Sequence, residues 1–168
     1  MILTREEILF EIAMKRIVID PLSESAIGPA SIDLSLGDEI RIFQRGKKPF
    51  LVTENTDYRK ETKKVKLGKG YLLKPGELIL GITKERITLP TDICGWLQSR
   101  SRFARLGLMS HITAPFVCPG VSNRQVLEIF NAGPRKLKIV PGIHVCQLVL
   151  QKCLGHAKYK GIFADQEL

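Results

Sequence analysis

Three arginines and two serines fall within the seven residues Ser99-Arg100-Ser101-Arg102-Phe103-Ala104-Arg105, directly after the apolar run Ile93-Cys94-Gly95-Trp96-Leu97. A guanidinium presents a planar fork of donors that matches phosphate oxygens in pairs. A serine just before a helix start leaves backbone N–H groups that favour an anion. The chemistry this supports is polyphosphate binding, although a solvated basic turn has the same composition. The second candidate is Glu128, in Gln125-Val126-Leu127-Glu128-Ile129-Phe130. Strand alternation puts Val126, Glu128 and Phe130 on one face, with Leu127 and Ile129 on the other. A carboxylate among apolar neighbours is costly if buried, unless it is paired or used. A solvent-facing strand, or a structural arginine partner, would also accommodate it.

Other chemistries find less support. Zinc nucleobase deaminases need His-x-Glu and Pro-Cys-x-x-Cys, and the chain has neither. His111, His144 and His156 lack ligand spacing and read as structural or surface residues. No Gly-x-Ser-x-Gly elbow is present. Cys94, Cys118, Cys146 and Cys153 form no C-x-x-C pair, which suggests reduced thiols and no metal site.

The elements that must position these residues read as mostly strands. Thr4 to Glu7 has the form of a capping box, opening a short helix with Ile8, Leu9, Ile12 and Ala13 on one face and an end near Lys15. Arg16–Asp20 reads as a strand closed by Pro21. Ala30–Leu36 alternates as a half-buried strand, Gly37-Asp38 reads as a turn, and Glu39–Phe43 as the return strand. Residues 44–70 read as a lysine-rich excursion at the edge of the fold. Further strands are expected at Tyr71–Leu73, Glu77–Thr83, Ile87–Pro90, Ile93–Gln98, Leu108–Thr113, Val126–Phe130, Leu137–Val140 and His144–Leu150. Residues 158–168 read as a flexible tail with little to bury. Many short strands with Gly/Pro punctuation and one clear helix indicate a mainly β fold, a barrel or jelly roll. A single domain over 1–168 suits this length.

The net charge of +9 is concentrated. Residues 59–69 carry six basic side chains against one acid, and Arg100, Arg102 and Arg105 supply most of the remaining excess. A nucleic-acid surface would explain this, and so would a phosphorylated small substrate beside a solvated hairpin. The absence of a nucleic-acid module signature favours the second. No apolar run reaches the roughly 18 residues of a membrane span, and Met1–Glu7 lacks a signal-peptide pattern, so a cytoplasmic location is expected.

The run from Gly95 to Leu108 resembles the dCTP deaminase signature G-W-L-x-G-R-S-S-x-A-R-L-G-L. The likeness continues through Leu73–Glu77, Thr83–Pro90, His111–Ala114, Pro119-Gly120 and Leu127–Asn131, and earlier through Gly28–Gly37. It implies the distorted β-barrel shared with dUTPases, assembled as a homotrimer with sites at subunit interfaces. It further implies deamination of dCTP to dUTP without a metal ligand, Mg²⁺ arriving on the triphosphate. By that analogy Glu128 shuttles protons, Ser101 and the Ala114 carbonyl hold the water, and Arg105 orients Glu128. Arg100, Arg102 and Lys158 would face phosphate. Thr113, Pro115, Cys118, Val121, Gln147 and Tyr159 would form the nucleoside pocket.

Several positions depart from the family pattern. Cys118 replaces an aspartate that in dUTPases grips the sugar 3′-hydroxyl and activates water, and thiol chemistry suits neither task. Val121, Asn123 and Arg102 replace an aromatic, a glycine and a serine. Three functions stay open on sequence: a dCTP deaminase, a dUTPase or bifunctional deaminase–dUTPase, and a nucleotide binder without catalysis.

Overall fold

A computed structural model describes residues 1–46 and 49–168. Lys47 and Lys48, inside the expected excursion, lie outside the described residues. Strands are β1 (Val18–Asp20), β2 (Ile32–Phe43), β3 (Thr62–Lys66), β4 (Tyr71–Leu73), β5 (Leu78–Thr88), β6 (Ile93–Ser99), β7 (Leu108–Met109), β8 (Phe116–Val117), β9 (Ser122–Asn131), β10 (Leu137–Ile139) and β11 (His144–Lys152). Helices are α1 (Arg5–Ala13) and the single-turn α2 (Ser101–Ala104). The main sheet runs β7-β9-β5-β2-β11-β6-β8, with β1 added on β5 and β3 on β2; β4 and β10 form a separate pair. Among the described residues no helix is long and apolar enough to cross a membrane.

The spine of the sheet is β2, and here the expected turn at Gly37-Asp38 is not found. The chain continues straight through as one strand, pairing Ile32–Ser35 with β11 and Leu36–Ile42 with β5. The register shifts between Leu36 and Ile40. A bulge of this kind bends a strand and increases its twist, so one strand can serve two halves of a curled sheet. Gly37 fits there because β5 passes so close: a Cβ would lie 3.0 Å from the Ile82 carbonyl oxygen.

The same logic merges the two runs expected at 77–83 and 87–90 into the single strand β5. Lys84-Glu85-Arg86 sits at a register shift against β9. Glu85 is buried and accepts the Ser35 N–H at 2.8 Å, while Thr83 accepts the Gln125 N–H at 2.9 Å. Thr83 and Glu85 therefore stitch β2, β5 and β9 together. Inside the curl lie Ile32, Leu34, Leu36, Ile40, Ile79, Ile87, Leu97, Leu127, Ile129 and Leu148, all essentially fully buried. Each contributes roughly 1.5–3 kcal/mol by leaving water.

Helix α1 closes one end through Ile8, with Leu9 and Ile12 packed alongside, whereas Ala13 is exposed. The capping box does not form. Thr4 has the extended N-cap conformation but makes no side-chain cap bond, and Glu7 instead accepts Lys152 Nζ at 2.5 Å. Glu11, buried, accepts Arg16 Nε at 2.6 Å, and Arg16 also reaches Asp92 at 2.7 Å, tying the helix to the start of β6.

The last eleven residues bury more than their composition predicts. Leu168 is buried with Leu80 and Ile82. Asn123 Nδ2 donates to the carbonyl of Phe163 at 2.9 Å, Gln166 Nε2 donates to Arg124 O at 2.8 Å, and Arg124 pairs with Glu167. The segment is polar along its length and Ile162 stays exposed, yet Leu168 packs on β5 and polar contacts tie the rest to β9.

Candidate active site

A cavity of about 410 Å³ opens between β9, β8 and the C-terminal segment, within the size range of small-molecule sites. Its apolar wall holds Leu80, Ala114, Phe116, Val117, Val121, Val126 and Phe163; its polar groups are His111, Cys118, Asn123, Gln125, Glu128, Tyr58, Tyr159 and Gln166.

Glu128 stands on β9 opposite Leu80 of β5. The sequence made Leu108–Thr113 a strand, but β7 stops at Met109, and residues 110–115 form a loop that wraps the carboxylate. Ser99, at the end of β6, fixes the loop's start by accepting the N–H and hydroxyl of Ser110 at 3.1 and 2.9 Å. Pro115 fixes its end, where its carbonyl accepts the Leu97 N–H at 2.8 Å. Between these anchors Glu128 Oε2 accepts the N–H groups of Ile112 (3.0 Å) and Thr113 (2.7 Å). The Thr113 hydroxyl donates across both oxygens, 2.9 Å to Oε1 and 3.1 Å to Oε2. Burial pushes the carboxyl up, but the donors of Thr113, Ile112 and Ala114 outweigh it and hold the group below the usual carboxylate range. Glu128 is thus an ionised, oriented acceptor, and Oε1 is its less occupied atom.

His111, beside it, reads as a bland residue in the sequence, yet it lines the cavity. Burial, opposed by the Glu128 charge, lowers its basicity, so the ring is neutral near pH 7. Its Nδ1 is buried without a partner among the described residues. Asn123, Gln125, Tyr58, Phe163 and Gln166 are further lining residues that sequence reasoning missed. The first two lie on the β9 face opposite Glu128 by alternation, and the others come from the excursion and the tail. The cavity contains a single carboxylate, whose lone pairs point at loop donors, and the described residues hold no cluster with metal-ligand spacing.

The expected site residues fall into four places. Glu128, Ala114, Cys118, Val121 and Tyr159 line the cavity, and Thr113 touches it through Glu128. Lys158 lies just outside, packed on Gly120. That glycine has a φ of +74°, and a Cβ there would meet Lys158 at 2.9 Å. Arg100 and Gln147 sit apart from the cavity around Asp33: Arg100 pairs with it at 2.9 Å and donates to His144 O at 3.1 Å, and Gln147 reaches it at 3.3 Å. Ser101, Arg102 and Arg105 are exposed on and just after α2, and none lines the cavity. Within one chain, then, the basic stretch and the carboxylate are not joined.

A family profile described as dCTP deaminase-like matches residues 2–153. The chain belongs to this family. This dCTP deaminase-like protein is 41% identical over 149 residues to the dCTP deaminase of Rhodospirillum rubrum, covering 83% of this chain and 76% of that one. It is 38% identical over 141 residues to a dUMP-forming dCTP deaminase of Methanobrevibacter smithii, covering 81% and 72%. Its fold is similar to the 2′-deoxycytidine 5′-triphosphate deaminase of Agrobacterium tumefaciens (TM-score 0.68, 21% identity, 89% of this chain), although this chain spans only 47% of that one. It is also similar to a variant dUTPase of Staphylococcus bacteriophage 80alpha (TM-score 0.51, 14% identity, 87% and 96% coverage). The expected barrel of the dUTPase-like type, with a short N-terminal helix, is therefore the fold of this dCTP deaminase-like chain.

Proposed function

We propose that this protein hydrolyses dCTP to dUTP and ammonia. The observation that carries the reading is Glu128: an ionised carboxylate, held by loop 110–115 against the wall of a nucleoside-sized cavity, in a chain of the dCTP deaminase-like family. Water adds to C4 of cytosine as Oε1 takes its proton. That proton is delivered to N3; Oε1 then carries the C4 hydroxyl proton to the exocyclic amine, which leaves as ammonia as the C4 carbonyl forms. A positioned base of this kind supplies roughly 10²–10⁴ in rate. The Ala114 carbonyl and Ser101 are assigned to the water, and Arg105 to Glu128. Arg100, Arg102 and Lys158 are assigned to phosphate, and Thr113, Pro115, Cys118, Val121, Gln147 and Tyr159 to the nucleoside. Mg²⁺ is part of the substrate, carried on the triphosphate.

Because Ser101, Arg102 and Arg105 are exposed away from the cavity of their own chain, the same reading requires a second copy to present them. This supports a homotrimer of single-domain chains with sites at the interfaces. Half-exposed Met109, Ile112 and Phe116 and the exposed Leu106 surround the region such a contact would cover. A cytoplasmic setting and small nucleotides rather than nucleic acid complete the proposal. Relatives carry both dCTP deaminase and dUMP-forming names at similar identity. Cys118 favours the first outcome, since a cavity-lining thiol is a poor base for pyrophosphate release.

The test incubates purified protein with Mg·dCTP or Mg·dUTP and follows ammonia, dUTP, dUMP and pyrophosphate. Ammonia with dUTP and no pyrophosphate is expected. Pyrophosphate release would establish the bifunctional enzyme instead, and nucleotide binding without turnover would leave only a binder.

A further inference from the structure

Among the described residues, β9 has an open edge beside the cavity. Residues 122–128 run along β5 on one side, while on the other the ladder with β7 takes up only Phe130 and Asn131. The cavity follows this open edge, so side chains from both faces of the strand reach it: Val126 and Glu128 from one, Asn123 and Gln125 from the other. Asn123 and Gln125 are polar yet almost wholly enclosed, with 3% and 7% of their surface exposed. The proposed mechanism gives neither of them a task.

The orientation of both amides is fixed by groups that can only accept. Asn123 Nδ2 donates to the carbonyls of Phe163 at 2.9 Å and Ala164 at 3.2 Å. Its Oδ1 is thereby turned to Gln125, whose Nε2 donates to it at 2.6 Å. The Gln125 backbone is held in turn, its N–H donating to Thr83 Oγ1 at 2.9 Å. One atom is left over. Gln125 Oε1 accepts nothing among the described residues, and it is not one of the fully enclosed side-chain atoms without a partner, which are Arg41 Nε and His111 Nδ1. Its open side is the cavity that Gln125 lines. A carbonyl oxygen aimed into a cavity and lacking a donor is satisfied by a ligand hydroxyl or amine.

Position decides between the two. Three residues along a strand span about 10 Å, so Gln125 stands a pyrimidine-and-pentose length away from Glu128, the group assigned to the reacting amine. Val121 and Cys118 line the cavity on the N-terminal side of β9, and neither side chain presents an oxygen. We infer, resting on the deaminase reading, that Gln125 reads the sugar: its Oε1 accepts the 3′-hydroxyl of the deoxynucleotide, and Asn123 is the positioning residue that keeps it aimed. The pentose of dCTP carries no other free hydroxyl, since O5′ is esterified and C2′ bears only hydrogen. A neutral amide makes this contact without adding a second negative charge to the cavity that holds ionised Glu128.

The test measures binding by titration calorimetry and turnover by ammonia release, using the full-length protein with Mg·dCTP, Mg·CTP and the dideoxy analogue of dCTP, which lacks only the 3′-hydroxyl. Wild type is expected to bind dCTP roughly 3–10-fold more tightly than the dideoxy analogue, the size of one neutral hydrogen bond. Gln125→Met keeps the side-chain length and removes the acceptor, so the preference should vanish. Gln125→Asn withdraws the acceptor but keeps the amide; it should lose the preference too, and it decides the question if thermal melts show the Met variant unfolded. Asn123→Ala should lower the same ratio, which a purely structural role would leave alone. An unchanged ratio in both Gln125 variants would overturn the inference, as would a wild type that binds dCTP and its dideoxy analogue equally. Tighter binding of CTP than of dCTP, lost in Gln125→Met, would assign Oε1 to the 2′-hydroxyl and overturn the 3′ assignment. A wild type that shows the expected ratio but releases no ammonia would count against the proposed function and leave the Gln125 contact standing. No binding of dCTP at all would overturn both.

Discussion

Separation of Glu128 from Arg105 within one chain leads to a quantitative complementation experiment. Under the proposed function, Glu128→Gln removes the atom assigned to take the proton and should lose roughly 10²–10⁴ in kcat. Arg105→Ala removes the donor assigned to Glu128 and the developing charge and should lose roughly 10²–10³. Each variant alone then retains about a hundredth of wild-type activity or less. When the two are mixed as unfolded chains in equal amounts and refolded together, each interface site of the proposed trimer should draw Glu128 from one subunit and Arg105 from its neighbour. In a closed ring of three with random assortment, about one site in four contains both native side chains. The mixture should recover about a quarter of wild-type ammonia release, some 25-fold or more above either parent. Active-site titration with a slowly turned-over cytosine nucleotide should report the same fraction of competent sites. A mixture no more active than the average of its parents would refute the shared site, as would a monomer by light scattering that is fully active on dCTP.

Other expectations follow from single side chains. The donors of loop 110–115 keep Glu128 ionised to lower pH than an ordinary carboxyl, so the acid limb of kcat/KM should lie below the free-glutamate value of about 4.3. Thr113→Val deletes one donor and should move that limb upward. By the same linkage, wild type should be more stable than Thr113→Val above about pH 4.3, the difference closing as pH falls through the native value; parallel urea titrations at pH 7 and pH 3 check this. Cys118→Asp should raise the preference for dCTP over CTP in competition assays, and unchanged selectivity would show that position 118 does not read the sugar. Gly120→Ala introduces a Cβ at positive φ against Lys158 and should cost about 1–2 kcal/mol in urea unfolding; an unchanged midpoint would refute that constraint.

The carboxylate was legible because alternation along β9 isolates Glu128 among apolar residues whose burial the sheet then enforces. Its partners were not. Leu108-Met109 and Ile112 have the hydrophobicity of a strand, and only the pairing of Ser99 with Ser110 and of Leu97 with Pro115 turns them into a loop around Glu128. Gly37-Asp38 has turn composition, but the apolar series Ile32, Leu34, Leu36, Ile40 continues across it, and that continuity outweighs the local signal. Arg100 looks in sequence like its neighbours Arg102 and Arg105. In the fold it turns toward Asp33, which lies some seventy residues earlier, a long-range pairing that no local pattern encodes. His111 is informative only beside Glu128.

The ladder between β2 and β3 closes with Phe43 facing Thr62, and this has a practical consequence for engineering. The backbone between these two residues leaves from and returns to a fixed point. Lengthening it therefore changes only loop-closure entropy, about 0.6 kcal/mol for each doubling. Tyr58 must keep its place at the cavity, which leaves the exposed stretch Phe50–Asn55 as the point where an affinity tag or fluorescent module can be spliced into the chain while the sheet and the Glu128 loop stay as they are.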